Sequence, residues 1–358
     1  MAPIMRVAAI LLVAGAVLAL SSCYVTAQGY HLLRTQARAT PVERLRERGA
    51  VNAVENDFFT QVEAIRRFAA EELGLAASRN YTSYVATERD HLVDVVSAAG
   101  ATSFQRKEWW FPFFGRFPYK GFYRPEPAQR LARRLHEDGW DVIIRPVGAF
   151  STLGFFRDPL FTYMIDYGEA RLAEMIIHEM AHATLWVSSE GQFNEEFATF
   201  VGLFGSERYM IVQYGADSAE VASLRANRRD QERFRIDIAE LRRRLEELYA
   251  EESDVDRVLA RKDEIIREFR EEFMRTYDER YRGDRYRFVA DQAINNAWID
   301  LFYTYTGNLA RFEALYDAMD QDLPATITEI RERAALWEEL SRRERPPIVE
   351  ILSIAEAG

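Results

Sequence analysis

Ile177-His178-Glu179-Met180-Ala181-His182, followed by Asn194-Glu195-Glu196-Phe197-Ala198, is the stretch on which the fold turns. Side chains four apart on a helix share one face about 6 Å apart, so both imidazoles can reach a single metal ion. Glu179 then points at the open side of that ion. The pattern predicts a metal-bearing helix over residues 168–187. Zinc in a catalytic site takes three protein ligands and keeps one position for water. His178 and His182 are two of those ligands, and Glu195 is the expected third. Twelve residues separate His182 from Glu195 (195 − 182 − 1), and the polar run Ser188 to Gln192 predicts a loop that lets a second helix fold back. Asn194 is the expected N-cap of that helix, with Glu195 in its first turn beside the metal. Glu196 is the adjacent rival, but it would point about 100° away around the helix axis. Alone, an acidic pair here would be an ordinary helix start that offsets the dipole. The two histidines upstream give it a different meaning.

With Zn2+ as cofactor, the expected chemistry is hydrolysis of a peptide bond. The metal polarises the scissile carbonyl and brings the pKa of its water to about 7, and Glu179 takes the proton and passes it to the leaving amine. The oxyanion needs a donor as well. Tyr305, in Asn295-Asn296-Ala297-Trp298-Ile299-Asp300-Leu301-Phe302-Tyr303-Thr304-Tyr305, is the candidate, although a chain with 17 tyrosines has many that serve only packing. The run Ser151-Thr152-Leu153-Gly154-Phe155-Phe156 reads either as an edge strand that pairs with a substrate backbone or as an aromatic-rich loop.

Composition sets the surroundings. A chain of 358 residues that is 48% apolar and 13% aromatic can bury a large core. Its net charge of −11 argues against a nucleic-acid partner, because neutralising phosphates needs a basic face. Lysine occurs only at Lys107, Lys120 and Lys262, so arginine carries nearly all the positive charge. Arg6 followed by the uncharged run from Val7 to Leu20 has the form of a signal peptide and is short for a membrane span. The sequence Leu20-Ser21-Ser22-Cys23 resembles a bacterial lipobox, and Cys23 is the only cysteine, so it has no disulfide partner and its thiol is free for acylation. The expected setting is the bacterial cell envelope, with a lipid anchor on Cys23 reaching the membrane. Tyr24 after the cysteine, rather than Asp, points to the outer membrane, facing the periplasm.

The rest reads as mainly α with a small β-sheet. Phe58, Val62, Ile65 and Ala69 mark a helix over residues 56–73, with a short one ahead of it at residues 41–48. The aromatic run from Phe111 to Tyr123, with Pro112, Gly115, Pro118 and Gly121, predicts a turn and an extended strand. A helix over residues 125–138 and a buried strand over 140–147 follow. Phe234, Ile238, Leu241, Leu245 and Leu248, then Val255, Leu259, Lys262, Ile266, Phe269 and Phe273, form two apolar stripes among Arg and Glu. They predict an antiparallel helical hairpin turning near Glu251 to Asp254. Such a hairpin could also offer a surface to a protein partner, though each stripe is short. The divisions are 1–22 (signal peptide), 23–215 (N-terminal helices, small sheet and zinc helices), 216–285 (charged hairpin) and 286–358 (C-terminal helices completing the catalytic domain).

Taken together these motifs resemble a family of bacterial predicted zinc aminopeptidases exported as lipoproteins, a gluzincin-like group distantly similar to aminopeptidase N in its Asn-Glu-x-Phe-Ala element. The resemblance rests on the lipobox, Phe117-Pro118-Tyr119-Lys120-Gly121-Phe122, Ser151-Thr152-Leu153-Gly154-Phe155, Asp158-Pro159, the metal motif, Asn194 to Thr199 with Val201-Gly202, and Asn295-Asn296-Ala297 leading to Thr304-Tyr305. It implies a zincin-like metallopeptidase core, His178, His182 and Glu195 as zinc ligands, Glu179 as base, and removal of N-terminal residues from peptide substrates. Ala183 stands where the family commonly has Gln, and Trp110 and Arg116 stand where it frequently has cysteines. By that likeness, a disulfide found in relatives is absent here. The better-known aminopeptidases carry an acidic anchor for the substrate amine in a Gly-x-Met-x-Asn stretch, which this chain lacks. A zinc endopeptidase, and a non-catalytic lipoprotein with a structural zinc site, therefore stay open.

Overall fold

The structure, a computed structural model, describes residues 24, 28–111, 115–148, 157–303, 309–341 and 343–353. Cys23, the run 151–156 and Tyr305 lie outside the described residues. The chain enters through a helix over residues 28–38 (α1), a two-residue strand (β1, Thr40–Pro41) and a short helix (α2, Val42–Glu47). α3 (Ala53–Glu71) starts from a capping box in which Asn52 and Glu55 satisfy each other's backbone amides. That box moves its start three residues ahead of Asn56, where the apolar stripe alone places it.

Three small sheets follow. β2 (Ser83–Val85) pairs antiparallel with β1 and parallel with β8 (Leu160–Phe161). β3 (Val93–Gly100) lies between β6 (Tyr119–Phe122) and β7 (Trp140–Val147), antiparallel to both. β4 (Trp109–Phe111) and β5 (Gly115–Phe117) form a ribbon in which Trp110 lies directly opposite Arg116. The two positions that the resemblance marks as frequent cysteines are thus cross-strand partners. Here an exposed indole and an arginine occupy them. α4 (Pro125–Glu137) covers the β3 sheet through Ala128 and Leu135.

Six helices follow with the motif at their head: α5 (Glu169–Thr184), α6 (Gly191–Tyr214), α7 (Ala219–Glu251), α8 (Val255–Arg275), α9 (Tyr277–Arg280) and α10 (Asn296–Tyr303). Beyond them lie α11 (Leu309–Ala318) and α12 (Leu323–Glu339). The result is mainly α with small sheets. None of the described helices is long and apolar enough to cross a membrane.

Packing gathers these elements around three apolar centres. The largest joins α3, α5, α6, α11 and α12 with the β2 sheet. There Phe312 of α11 stacks on Phe200 of α6 and meets Phe193 at a tilt. The second lies inside the hairpin, where Phe234, Ile238, Leu241 and Leu245 of α7 meet Ile265, Ile266, Phe269 and Phe273 of α8 and Trp298 of α10. α8's seam differs from the expected one: Val258 is buried and Val255 exposed, so the inward stripe begins three residues later. The third centre lies under α4.

Buried polar bonds fasten the hairpin to the β3 sheet. Lys262, on the inner stripe of α8, pairs with Asp141 of β7 and donates to the Ala101 carbonyl at 2.8 Å. Asn296 donates its side chain to the Gly100 carbonyl (2.8 Å) and its backbone to Asp141 (2.7 Å). Asn295 caps α10 by accepting from Trp298 and donates to the Val142 carbonyl. The Asn295-Asn296 motif is therefore a joint. Arg106 and Arg242 share Asp300 of α10 at the same junction. The other two lysines lie over aromatic faces, Lys107 on Trp140 at 4.8 Å and Lys120 on Tyr24 at 4.7 Å.

Candidate metal centre

α5 presents its apolar face, Leu172, Ala173, Ile176, Ile177, Met180 and Ala181, to the main core. His178 and His182 stand at the edge of that face with ring centroids 4.8 Å apart and planes nearly perpendicular. α6 lies against α5 at close range because of its glycines. A Cβ on Gly202 would come within 3.1 Å of the His178 Cβ and 3.0 Å of the Glu174 carbonyl. One on Gly205 would meet Ile177 and Leu73 at 2.9 Å. The absence of side chains there is what brings α6 up to the metal motif.

The connection between the two helices differs from the sequence expectation. α5 ends at Thr184, three residues short, and α6 starts at Gly191, so Asn194 lies inside the helix and does not cap it. Its fully buried amide instead closes the loop, accepting from the Val187 N–H and donating to the Val187 carbonyl, both at 2.8 Å. That staple draws Val187 out of the helical path. Glu195 consequently sits in the second turn of α6 rather than the first.

The staple leaves Glu195 facing the histidines. Its carboxylate oxygens lie 3.8 Å from His178 Nε2 and 3.5 Å from His182 Nε2. One ligand atom from each residue falls within 4.8 Å of the others, the one such group among the described residues. Ligands about 2.1 Å from a tetrahedral zinc are about 3.4 Å apart, so the Glu195 distances already approach those of a zinc site. Glu196 turns the other way, into the protein, where it is buried and accepts from Gln192 at 2.8 Å.

The electrostatics suit a cation at the centre. Burial first, and then His182, hold the His178 imidazole at about 3, while the Ala198 backbone pulls weakly upward. Burial brings His182 to about 4 and pushes Glu195 above the usual carboxylate range. His182 also has a buried Nδ1 with no hydrogen-bond partner. Two neutral imidazoles and a desolvated carboxylate are each costly alone, and a divalent ion between them would offset all three costs. The residues present fit zinc. Glu179, next to His178, is buried.

Two residues beside this centre have no role in the sequence reading: Tyr81, which it does not name, and Asp158, which enters only through the Asp158-Pro159 pair of the resemblance. Tyr81 is fully buried and left-handed, with φ of 59°, a conformation a tyrosine adopts only under constraint. Burial, then the charges of Glu179 and Asp158, hold its phenol well above the ordinary range. Asp158 has a buried Oδ2 without a hydrogen-bond partner, and burial pushes its carboxyl up to about 6. A stranded Asp has no signature in sequence, since the signal lies in what fails to surround it. Trp186 packs against His182 at 5.8 Å and is 43% exposed.

Fold and site together define a mainly helical chain with a preformed donor set of two histidines and a carboxylate on adjacent, glycine-packed helices. The chain belongs to the family described as "Putative aminopeptidase", whose model matches residues 23–345. No curated protein and no solved structure matches it significantly. Family membership points the chain to peptide-bond hydrolysis.

Proposed function

We propose that the protein is a zinc-dependent peptidase that removes N-terminal residues from peptides in the bacterial cell envelope. The convergence of His178, His182 and Glu195 beside Glu179 carries this reading. Bound zinc would supply Lewis-acid polarisation of the scissile carbonyl and a more acidic water. His178 and His182, held neutral by burial, keep their lone pairs available for the metal at neutral pH. Glu179 takes the proton of the attacking water and returns it to the leaving amine. A purely structural site has no use for a carboxylate at that position, which favours the enzyme over a scaffold. Tyr305 is the proposed donor to the oxyanion. The envelope location rests on the signal-like run ending at the lipobox and on Cys23 as the sole cysteine, and the family match begins at that residue. Acyl chains on Cys23 would tether the enzyme to the outer membrane on its periplasmic side.

A peptide library incubated with the zinc-loaded protein and read by mass spectrometry tests this. Products shorter by one N-terminal residue are expected, and internal cuts would make it an endopeptidase. Glu179→Gln should keep one zinc per chain and lose roughly 1000-fold in kcat. A wild-type protein that binds no zinc, or that cuts nothing when loaded, sinks the proposal.

A further inference from the structure

Asp158 is a half-buried residue with one buried carboxylate oxygen that the proposed mechanism does not use. It is fixed firmly. Two residues later the chain enters β8, whose register with β2 pairs Tyr84 with Leu160. The Asp158 carbonyl accepts from the Tyr81 N–H at 2.7 Å, and its own N–H donates to the Asn80 side chain at 3.2 Å. Pro159 follows and stiffens the approach further. The backbone on both sides of the carboxylate is thus held, and its Oδ2 is buried and unpaired. An unpaired buried oxygen calls for a partner that fits the space before it.

That partner's size is set by the space in front of the carboxylate. Asp158, Tyr81 and Tyr123 line a cavity of about 20 Å3, together with Thr35 and Gln36 of α1. That volume holds one water-sized polar group. A primary ammonium has this size and brings the positive charge that Oδ2 lacks. Tyr81 also links the cavity to the metal centre, since Glu179 and Asp158 act on the same phenol, and the backbone holding it is strained at φ 59°.

We propose that Asp158, in the cavity it shares with Tyr81 and Tyr123, binds the free N-terminal ammonium of the peptide substrate. This rests on the peptidase reading above and makes the enzyme an exopeptidase by counting from the charged end of its substrate. Asp158 supplies the acidic anchor from the segment before β8, and the ion pair forms where little water competes. An acetylated N-terminus has neither the charge nor the size to enter.

The test uses the zinc-loaded full chain and Asp158→Asn. Wild type should cleave a peptide with a free N-terminus at least 100-fold faster, in kcat/KM, than its N-acetylated form. Asp158→Asn should lose about 100-fold on the free peptide and nothing on the acetylated one. Equal losses on both peptides, or none on either, overturn the anchor. Calorimetry with L-leucinamide and N-acetyl-L-leucinamide gives a reading that needs no turnover. Wild type should bind only the free amine and Asp158→Asn neither. Binding of the free amine without any cleavage would refute the peptidase reading and leave the anchor standing, whereas failure of wild type to bind it refutes the anchor. Thermal melting at pH 8 separates function from structure. Among the described residues, the titratable groups that share the cavity with Asp158 are the Tyr81 and Tyr123 phenols, both shifted upward and so neutral there. Removing an unpaired buried charge should raise the melting temperature of the ligand-free protein, whereas a structural aspartate would lower it.

Discussion

Two antiparallel helix pairs, α5 with α6 and α7 with α8, are built on opposite rules. The first pair meets through Gly202 and Gly205, and the polar groups at its edge are left neutral or unpaired. The second meets through Phe, Ile and Leu, and its outer faces carry Arg–Glu pairs such as Arg243 with Glu247 and Arg244 with Glu268. Its one buried amine, Lys262, is neutralised by Asp141. The buried charges Lys262 and Asp237 of the hairpin each sit against an opposite charge, Asp141 of β7 for the first and Arg233 and Arg280 for the second. The donors of the metal pair have no such counter-charge among the described residues, and a region that must accept a cation and a substrate has to stay that way.

The sharpest break in this contrast is at a ligand. His182→Ala should weaken zinc binding by on the order of 100-fold or more, beyond what loss of an outer-shell partner costs, and metal analysis after dialysis would show it. Lys262→Ala should be the reverse case. Leaving Asp141 buried without its cation should cost about 3–5 kcal/mol in denaturant unfolding while zinc content stays at wild-type level. A zinc loss equal to that of His182→Ala would mean that the two regions are not separate. Gly202→Ala should cost about 1–3 kcal/mol by overpacking and also loosen zinc, because the added methyl presses on the His178 Cβ. Asn194→Ala removes both bonds to Val187 and should cost about 1–3 kcal/mol, with Glu195 less well placed and zinc held more weakly.

The smallest effect near neutrality is on pH. His178 and His182 titrate near 6.5 when unfolded but at about 3 and about 4 when folded. The unfolded chain therefore binds more protons below 6.5, and the zinc-free protein should lose stability as pH falls from there toward 4. Asp158 works the other way, because its folded carboxyl takes a proton near 6 and its unfolded one near 3.8. Urea melts between pH 7 and pH 4 should show a net fall. A flat profile would mean that the imidazoles are not buried as described.

Sequence spoke most clearly where a period or a fixed spacing exists. β7 runs over residues 140–147 as its Val-Ile-Ile core predicts, and the hairpin turns between Glu251 and Val255 as its stripes require. β3 escaped notice because it is central and buried on nearly all its residues, so Val93 to Gly100 shows no alternation of apolar and polar side chains. Asn194 has the profile of a cap, yet it bonds to a loop that only the tertiary packing creates. The roles of Asp158 and Tyr81 were illegible for a different reason, although Asp158-Pro159 marks the resemblance: one is defined by a missing partner and the other by a backbone angle.

Lys262 also makes the hairpin accessible to measurement. Acylating reagents attack the free amine, and this one is sealed between α8 and β7 while the two other lysines lie over aromatic rings. With three lysines in the whole chain, each modification site can be followed separately by mass. The rate at which Lys262 is labelled, relative to Lys107 and Lys120, would report how often the hairpin lifts off the sheet. The protein thus carries its own clock for that opening, readable without adding a probe.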